Sequence, residues 1–457
     1  MKKCTLLLAL VMSSLMLGGC AKNTNSQAND PKTQKEQETD SVTKGADSAN
    51  APEATKAPEP TKAPTVTSAP TKAPTPVPEE GWYEEMIETS LLSTGNNARL
   101  KKVIEKAKAG EDVYIAGIGG SVTEGAGASS NKKGYFYQFV EAFTKKYAPG
   151  DGSNVHVMNA GLGGTPSSLG ILRYQRDVVD SLGHTPDLLL IEFSVNDYQE
   201  ETGGRAYEAL VSEGLKGEND PAVVLVFAVF RNKWNLQENV IGIGKHYELP
   251  MVSIKNAIAK PFSKKYLTDA KFFSDEYHPT TYGHTVMSDC LMYLMDTVDG
   301  AEADEMSPLP AEPKKSLAFE NTVMIDEETK GVEITKGSFS LQDAAVQTAA
   351  WNGKNAFPKN WKHDAKAGND SLLFTLTCKN FLLNYKTSSN GEFGKAEVYV
   401  DGTLVRTLEG KTSGGWNNSN VILVLDTDTA AEHVIEVKMA PGSEEKTFTV
   451  LAAGFTE

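Results

Sequence analysis

The sequence predicts an α/β domain with a five-stranded parallel sheet, followed by an all-β sandwich. Two observations carry this prediction. Between residues 81 and 299, short apolar runs alternate with amphipathic helical patterns, the mark of a parallel sheet covered on both faces in three α/β/α layers. Beyond residue 313 the apolar period changes to two, as a half-buried antiparallel sheet requires.

The chain of 457 residues carries a net charge of −15, too acidic to suggest nucleic-acid binding. Its first segment, residues 1–19, reads as an export signal: Lys2 and Lys3, an apolar stretch from Leu6 to Leu17, then small residues. It is too short for an ordinary membrane-spanning helix. The ending Leu17-Gly18-Gly19-Cys20 resembles a bacterial lipoprotein signal, which implies cleavage before Cys20, lipid attachment to its thiol and anchoring at the cell surface. Residues 20–80 then hold almost no apolar content, and Thr55-Lys56-Ala57-Pro58 recurs as Thr61-Lys62-Ala63-Pro64 and Thr71-Lys72-Ala73-Pro74. Such a segment cannot bury enough surface to offset its ordering entropy, so it is expected to serve as a tether.

The expected strands of the α/β domain are Val113–Ile118, Val155–Met158, Leu188–Phe193, Val223–Val229 and Met251–Ile254. Helical faces between them include Leu100, Val103, Ile104 and Ala107, and Phe136, Phe139, Val140, Phe143 and Tyr147. Residues 300–313, rich in Glu, Ala and Pro, form a linker. In residues 314–457, Leu372, Phe374, Leu376 and Cys378 alternate with outward positions, as do Ala396, Val398 and Val400, with Asp401-Gly402 as a hairpin turn. Cys290 and Cys378 fall in different domains and read as buried free thiols.

Four short motifs carry the chemistry. Gly119-Gly120-Ser121, Asn159-Ala160-Gly161-Leu162-Gly163-Gly164 and Ser194-Val195-Asn196-Asp197 each follow a strand, and Asp275-Glu276-Tyr277-His278-Pro279 precedes a helix expected to open at Pro279. In such sheets, sites gather beyond the carboxyl ends of the strands. Flanking glycines let the backbone turn sharply and leave the Ser121 hydroxyl accessible. A serine needs a base near neutral pH, which the His278 imidazole supplies, and Asp275 can reach the other ring nitrogen. These are the parts needed to cleave an ester. His284 reads as a packing residue, Asp197 as a partner of loop backbone, and Glu124 as either that or a substrate contact. The spacing fits neither a dinucleotide fingerprint nor a phosphate loop, no His/Cys/Asp cluster has metal-binding spacing, and no cofactor is called for.

In this order the motifs resemble the SGNH (GDSL-like) hydrolase family over about Asp112 to Val298. The resemblance implies an SGNH-type fold, with Ser121, His278 and Asp275 as catalytic triad. The implied oxyanion hole comprises the backbone N–H groups of Ser121 and Gly164 and the Asn196 side-chain amide, with Gly163 as the alternative to Gly164. One departure stands out: the family's usual Gly-Asp-Ser is Gly119-Gly120-Ser121 here. The β-module resembles, more loosely, the jelly-roll or carbohydrate-binding domains paired with SGNH domains in carbohydrate esterases. Its Trp351, Trp361 and Trp416 are candidate sugar-stacking residues, balanced against a role in the sandwich core.

The expectation is therefore a secreted, tethered serine esterase that removes O-acetyl groups from polysaccharide or cell-wall glycan. A lipase or thioesterase on the same fold and a non-catalytic glycan-binding protein are the alternatives.

Overall fold

A computed structural model describes residues 78–217 and 219–457. The expected export signal, Cys20 and nearly all of the tether lie outside the described residues. Among those described, no helix is long and apolar enough to cross a membrane.

The first region holds a six-stranded sheet: β1 (Leu91–Ser93), β2 (Val113–Gly119), β3 (Val155–Gly161), β4 (Leu188–Glu192), β5 (Ala222–Phe227) and β6 (Met251–Ser253), in the spatial order β1-β6-β5-β4-β2-β3. Strands β2 to β6 are the expected parallel set. The unexpected member, β1, pairs antiparallel with β6 at the edge. At three residues it is too short to show a periodicity in sequence. The central strands β4 and β5 are buried at every position because helices cover both faces. On one face the helices Ala98–Lys108, Tyr135–Tyr147 and Thr281–Gly300 contribute Ile104, Phe139 and Leu291 to a common core. On the other, Ser167–Tyr174 and Arg205–Leu215 pack Leu169 and Leu210 against Ile191.

Sheet order fixes where a site can form. From β2 the chain goes first to β3 on one side, then crosses to β4 on the other, so the direction of winding reverses at β2. A crevice opens at such a reversal beyond the carboxyl ends. Ser121 leaves β2, Gly163 and Gly164 leave β3, and Asn196 leaves β4.

The second region is an antiparallel sandwich. The strands Leu372–Ser388 and Trp416–Met439 are its long members, with 17 and 24 residues. Leu372–Ser388 changes neighbour along its length, pairing with Val332–Thr335 near its start and with Thr449–Thr456 near its end. Register shifts between Cys378 and Asn380 separate the two halves and bend the strand so that it serves both layers. Asp401 and Gly402 both take positive φ, 51° and 76°, in the tight hairpin expected from sequence. Cys290 and Cys378 are buried in separate cores, with no disulfide among the described residues.

The two regions share apolar packing. Phe319, Phe357, Leu382, Val421 and Leu451 of the β-region belong to the same buried cluster as Leu169, Leu172 and Phe193 of the α/β region. Polar contacts reinforce it: the buried Glu208 carboxylate accepts the N–H groups of Lys314, Lys315 and Ser316, and Arg205 pairs with Asp426 through two hydrogen bonds.

Candidate active site

The turn after β2 brings Ser121 to the first position of a short helix, Ser121–Glu124. His278 arrives on the segment before the Thr281–Gly300 helix. That helix starts two residues later than expected, because the Thr280 side chain rather than Pro279 caps it, accepting the Gly283 N–H at 3.1 Å. His278 Nε2 lies 2.9 Å from Ser121 Oγ. The other ring nitrogen, Nδ1, lies 2.9 and 3.0 Å from the two Asp275 carboxylate oxygens. Asp275 also accepts the backbone N–H groups of Tyr277 at 2.7 Å and His278 at 2.9 Å. Partial burial pushes the Asp275 carboxyl up, but the His278 ring and these N–H groups outweigh it and hold the carboxyl below the usual range. An ionised Asp275 fixes a proton on Nδ1, leaving Nε2 to accept the serine proton.

Ser121, Gly164 and Asn196, each carrying an N–H donor, line the same cleft. Neither the Ser121 nor the Gly164 backbone N–H is engaged by another backbone carbonyl. Asn196 lines the same cleft, with its Oδ1 turned back towards the Gly120 backbone. A Cβ on Gly120 would sit 2.2 Å from that oxygen, so the Asn196 amide occupies the space a side chain at 120 would need. A side chain at position 120 would therefore have to displace that amide. Gly164 takes φ +68°, a conformation that favours glycine, while Gly163 does not. Such donors can stabilise negative charge on a carbonyl oxygen as a nucleophile adds to it.

The supporting groups were less legible in sequence. Arg173, wholly buried, donates from Nη2 to the Gly119 carbonyl at 3.2 Å and so ties down the end of β2. Glu192, also wholly buried, accepts from Thr123 Oγ1 at 3.1 Å, and burial pushes its carboxyl up to about 8. Asp197 accepts the Ser167 N–H at 2.7 Å, a contact to loop backbone of the kind expected from sequence. Buried His284 accepts the Tyr135 N–H on Nδ1 and donates from Nε2 to Ala126, and burial holds it neutral, with its pKa lowered to about 4. Glu124 lines the cleft beside the Gly163 N–H; burial raises its carboxyl, opposed by that N–H and by Arg173.

The cleft has a volume of about 970 Å³ and walls from both regions. Tyr198, Phe230, Trp234 and Tyr277 come from the α/β region; Thr387, Thr412, Trp416, Asn418 and Asn420 come from the sandwich. Phe230 stacks on Trp234 with ring centroids 5.7 Å apart and meets the edge of Tyr277 at 5.2 Å. Of the three candidate tryptophans, only Trp416 lines this cleft. It is 55 % exposed, and its Cζ2 is 3.3 Å from where a Cβ on Gly164 would lie. Trp361 is 2 % exposed and packs edge-on to Phe374 in the sandwich core. Trp351 is half-buried against the shared core. Both follow the core alternative, since the sandwich interior needs large apolar side chains. Sequence reasoning missed the aromatic wall at Phe230, Trp234 and Tyr277, whose members lie on two loops with no shared spacing.

Residues 118–286 match the model of the GDSL-like Lipase/Acylhydrolase family. A solved two-domain esterase active on acetylated mannans is 28 % identical, with a TM-score of 0.71 covering 81 % of this chain and 99 % of its own. A second structure of such an esterase, co-crystallised with mannopentaose, is 26 % identical, with a TM-score of 0.71 and coverage of 81 % and 98 %. No match was found among curated protein sequences.

Proposed function

We propose that this chain, a carboxylic ester hydrolase carrying a GDSL-like (SGNH) domain and an antiparallel β-sandwich, removes O-acetyl groups from polysaccharide. The observation that carries the reading is the cleft itself. The Ser121–His278–Asp275 chain opens into a space walled by aromatic faces on one side and by Trp416 with the Asn418 and Asn420 amides on the other. Aromatic faces and neighbouring amides suit sugar rings, whose C–H faces stack and whose hydroxyls hydrogen-bond. The neighbouring esterase active on acetylated mannans supports the same substrate class.

In this reading Ser121 Oγ attacks the acetyl carbonyl carbon while His278 Nε2 takes the hydroxyl proton. The negative charge on the carbonyl oxygen is met by the N–H groups of Ser121 and Gly164 and by Asn196 Nδ2. The tetrahedral adduct collapses; the sugar oxygen leaves with the proton from His278, and acetyl-Ser121 remains. Water, deprotonated by His278, attacks the acetyl-serine and releases acetate, and Ser121 recovers its proton. Asp275 holds the ring orientation throughout.

The N-terminal sequence supports a further part of the proposal: attachment to the bacterial membrane through Cys20, with the tether carrying the enzyme outward to surface or wall glycan. Metabolic labelling with a fatty acid tests it. Label on the wild type and none on Cys20→Ala is expected; equal labelling would contradict it.

The catalytic reading is tested with p-nitrophenyl acetate and octanoate, and with acetate release from acetylated mannan, xylan and peptidoglycan. Wild type is expected to act on acetyl esters and Ser121→Ala to lose the activity. Preference for octanoate would favour a lipase, and a wild type inactive on every ester would favour a glycan-binding protein.

A further inference from the structure

Gln347 belongs to the β-region, yet its side chain reaches into the α/β region. It is 7 % exposed. Its Nε2 donates to the Gly163 carbonyl at 2.7 Å, and its Oε1 lies 3.5 Å from the Ser419 N–H. The Gly163 carbonyl belongs to the same peptide unit as the Gly164 N–H. That unit is planar and trans, so its C=O and N–H point in opposite directions. Fixing the carbonyl therefore fixes the N–H.

Little in the local chain would do this. Both flanking residues are glycines, so neither side has a Cβ to oppose rotation of the peptide plane. Gly164 already sits at φ +68°, and neither its N–H nor the Gly163 carbonyl is engaged by another backbone group. Beside Gly163 stands Glu124, whose Oε2 would lie 2.9 Å from a Cβ at that position, with Gln347 Nε2 3.6 Å from the same point. A carboxylate there attracts the Gly163 N–H and disfavours a carbonyl turned towards it. Gln347 supplies the complementary contact, a neutral donor to the carbonyl.

We infer that Gln347 is a positioning residue for ester cleavage: through its hydrogen bond to the Gly163 carbonyl, the β-sandwich holds the Gly164 N–H aimed at the developing oxyanion. The inference rests on the proposed role of Ser121 and Gly164. It gives the sandwich a part in the chemical step that is independent of any sugar contact. A donation to the carbonyl also polarises the shared peptide and strengthens its N–H as a donor. The effect should therefore appear on an ester with no sugar at all.

The test is steady-state hydrolysis of p-nitrophenyl acetate by the full chain and by Gln347→Met and Gln347→Glu, with melting temperatures alongside. Methionine keeps the volume and removes the donor; glutamate keeps the shape and, when ionised, removes it too. Loss of one oxyanion donor costs on the order of a hundredfold in turnover, so both variants are expected to lose roughly ten- to hundredfold in kcat with KM within about twofold. Wild-type kcat in either folded variant would overturn the inference. If methionine unfolds the junction, the glutamate variant decides alone. Ser121→Ala run in parallel separates the two levels. Activity retained there refutes the serine mechanism itself, whereas a dead Ser121→Ala beside a fully active Gln347 variant refutes only the positioning role.

Discussion

Replacing Gly120 by aspartate, the residue expected before the serine in the Gly-Asp-Ser pattern that residues 118–286 resemble, is expected to lower turnover rather than raise it. The new Cβ would press on Asn196 Oδ1 from 2.2 Å and push the amide off the place proposed for oxyanion binding. A fall of roughly tenfold or more in kcat on p-nitrophenyl acetate is expected, since oxyanion donors act in the transition state. Unchanged kcat would show that Asn196 does not depend on this space. Asn196→Ala should cost about a hundredfold or more with little change in KM, measured on the same ester. At this scale the sequence was most informative: Ser121, His278, Asp275 and Asn196 stand in motifs whose spacing is local. Gln347, Phe230 and Trp234 were not legible, because their approach to the site is set by tertiary packing and leaves no pattern in the chain.

Among the elements, β4 has an unusual end. Glu192 closes an otherwise apolar strand and is wholly buried with one carboxylate oxygen lacking a hydrogen-bond partner. Its raised folded-state pKa of about 8, against an ordinary glutamate value near 4.5, has a definite sign. The folded protein binds the proton more tightly, so the associated stability is present below the unfolded value and is lost as pH rises through about 8. Glu192→Gln, which stays neutral, is expected to gain in melting temperature relative to wild type as pH rises from the ordinary value of 4.5 to about 8. Parallel melting curves across this range would mean that Glu192 is not buried as a neutral acid. The five parallel strands were readable because each is a buried apolar run between amphipathic helices. The edge strand β1 escaped because three residues carry no period, and the last helix was displaced because Thr280 caps it more effectively than Pro279 can.

For the whole molecule, the change of period near residue 313 marks two architectures but does not reveal that they share a core. Apolar side chains alternate in the same way whether they face their own sandwich or a neighbouring domain. Because Phe319, Phe357, Leu382 and Val421 pack with Leu169 and Phe193, removing residues 314–457 should expose an apolar face. The truncated α/β region is expected to be insoluble or to melt well below the full chain; a soluble fragment with an unchanged melting temperature would contradict the shared core. Trp416→Ala, by contrast, should fold normally because the side chain is 55 % exposed, and should raise KM for acetylated mannan more than for p-nitrophenyl acetate. Equal KM changes on the two substrates would remove the sugar-stacking role. The central claim, an acetyl-serine pathway on glycan esters, is tested most directly by acid-quenching wild type during turnover of acetylated mannan and mapping the modified peptide by mass spectrometry. The account predicts one acetyl group on Ser121, and neither adduct nor acetate release with Ser121→Ala. Acetate release at the wild-type rate from Ser121→Ala would contradict it.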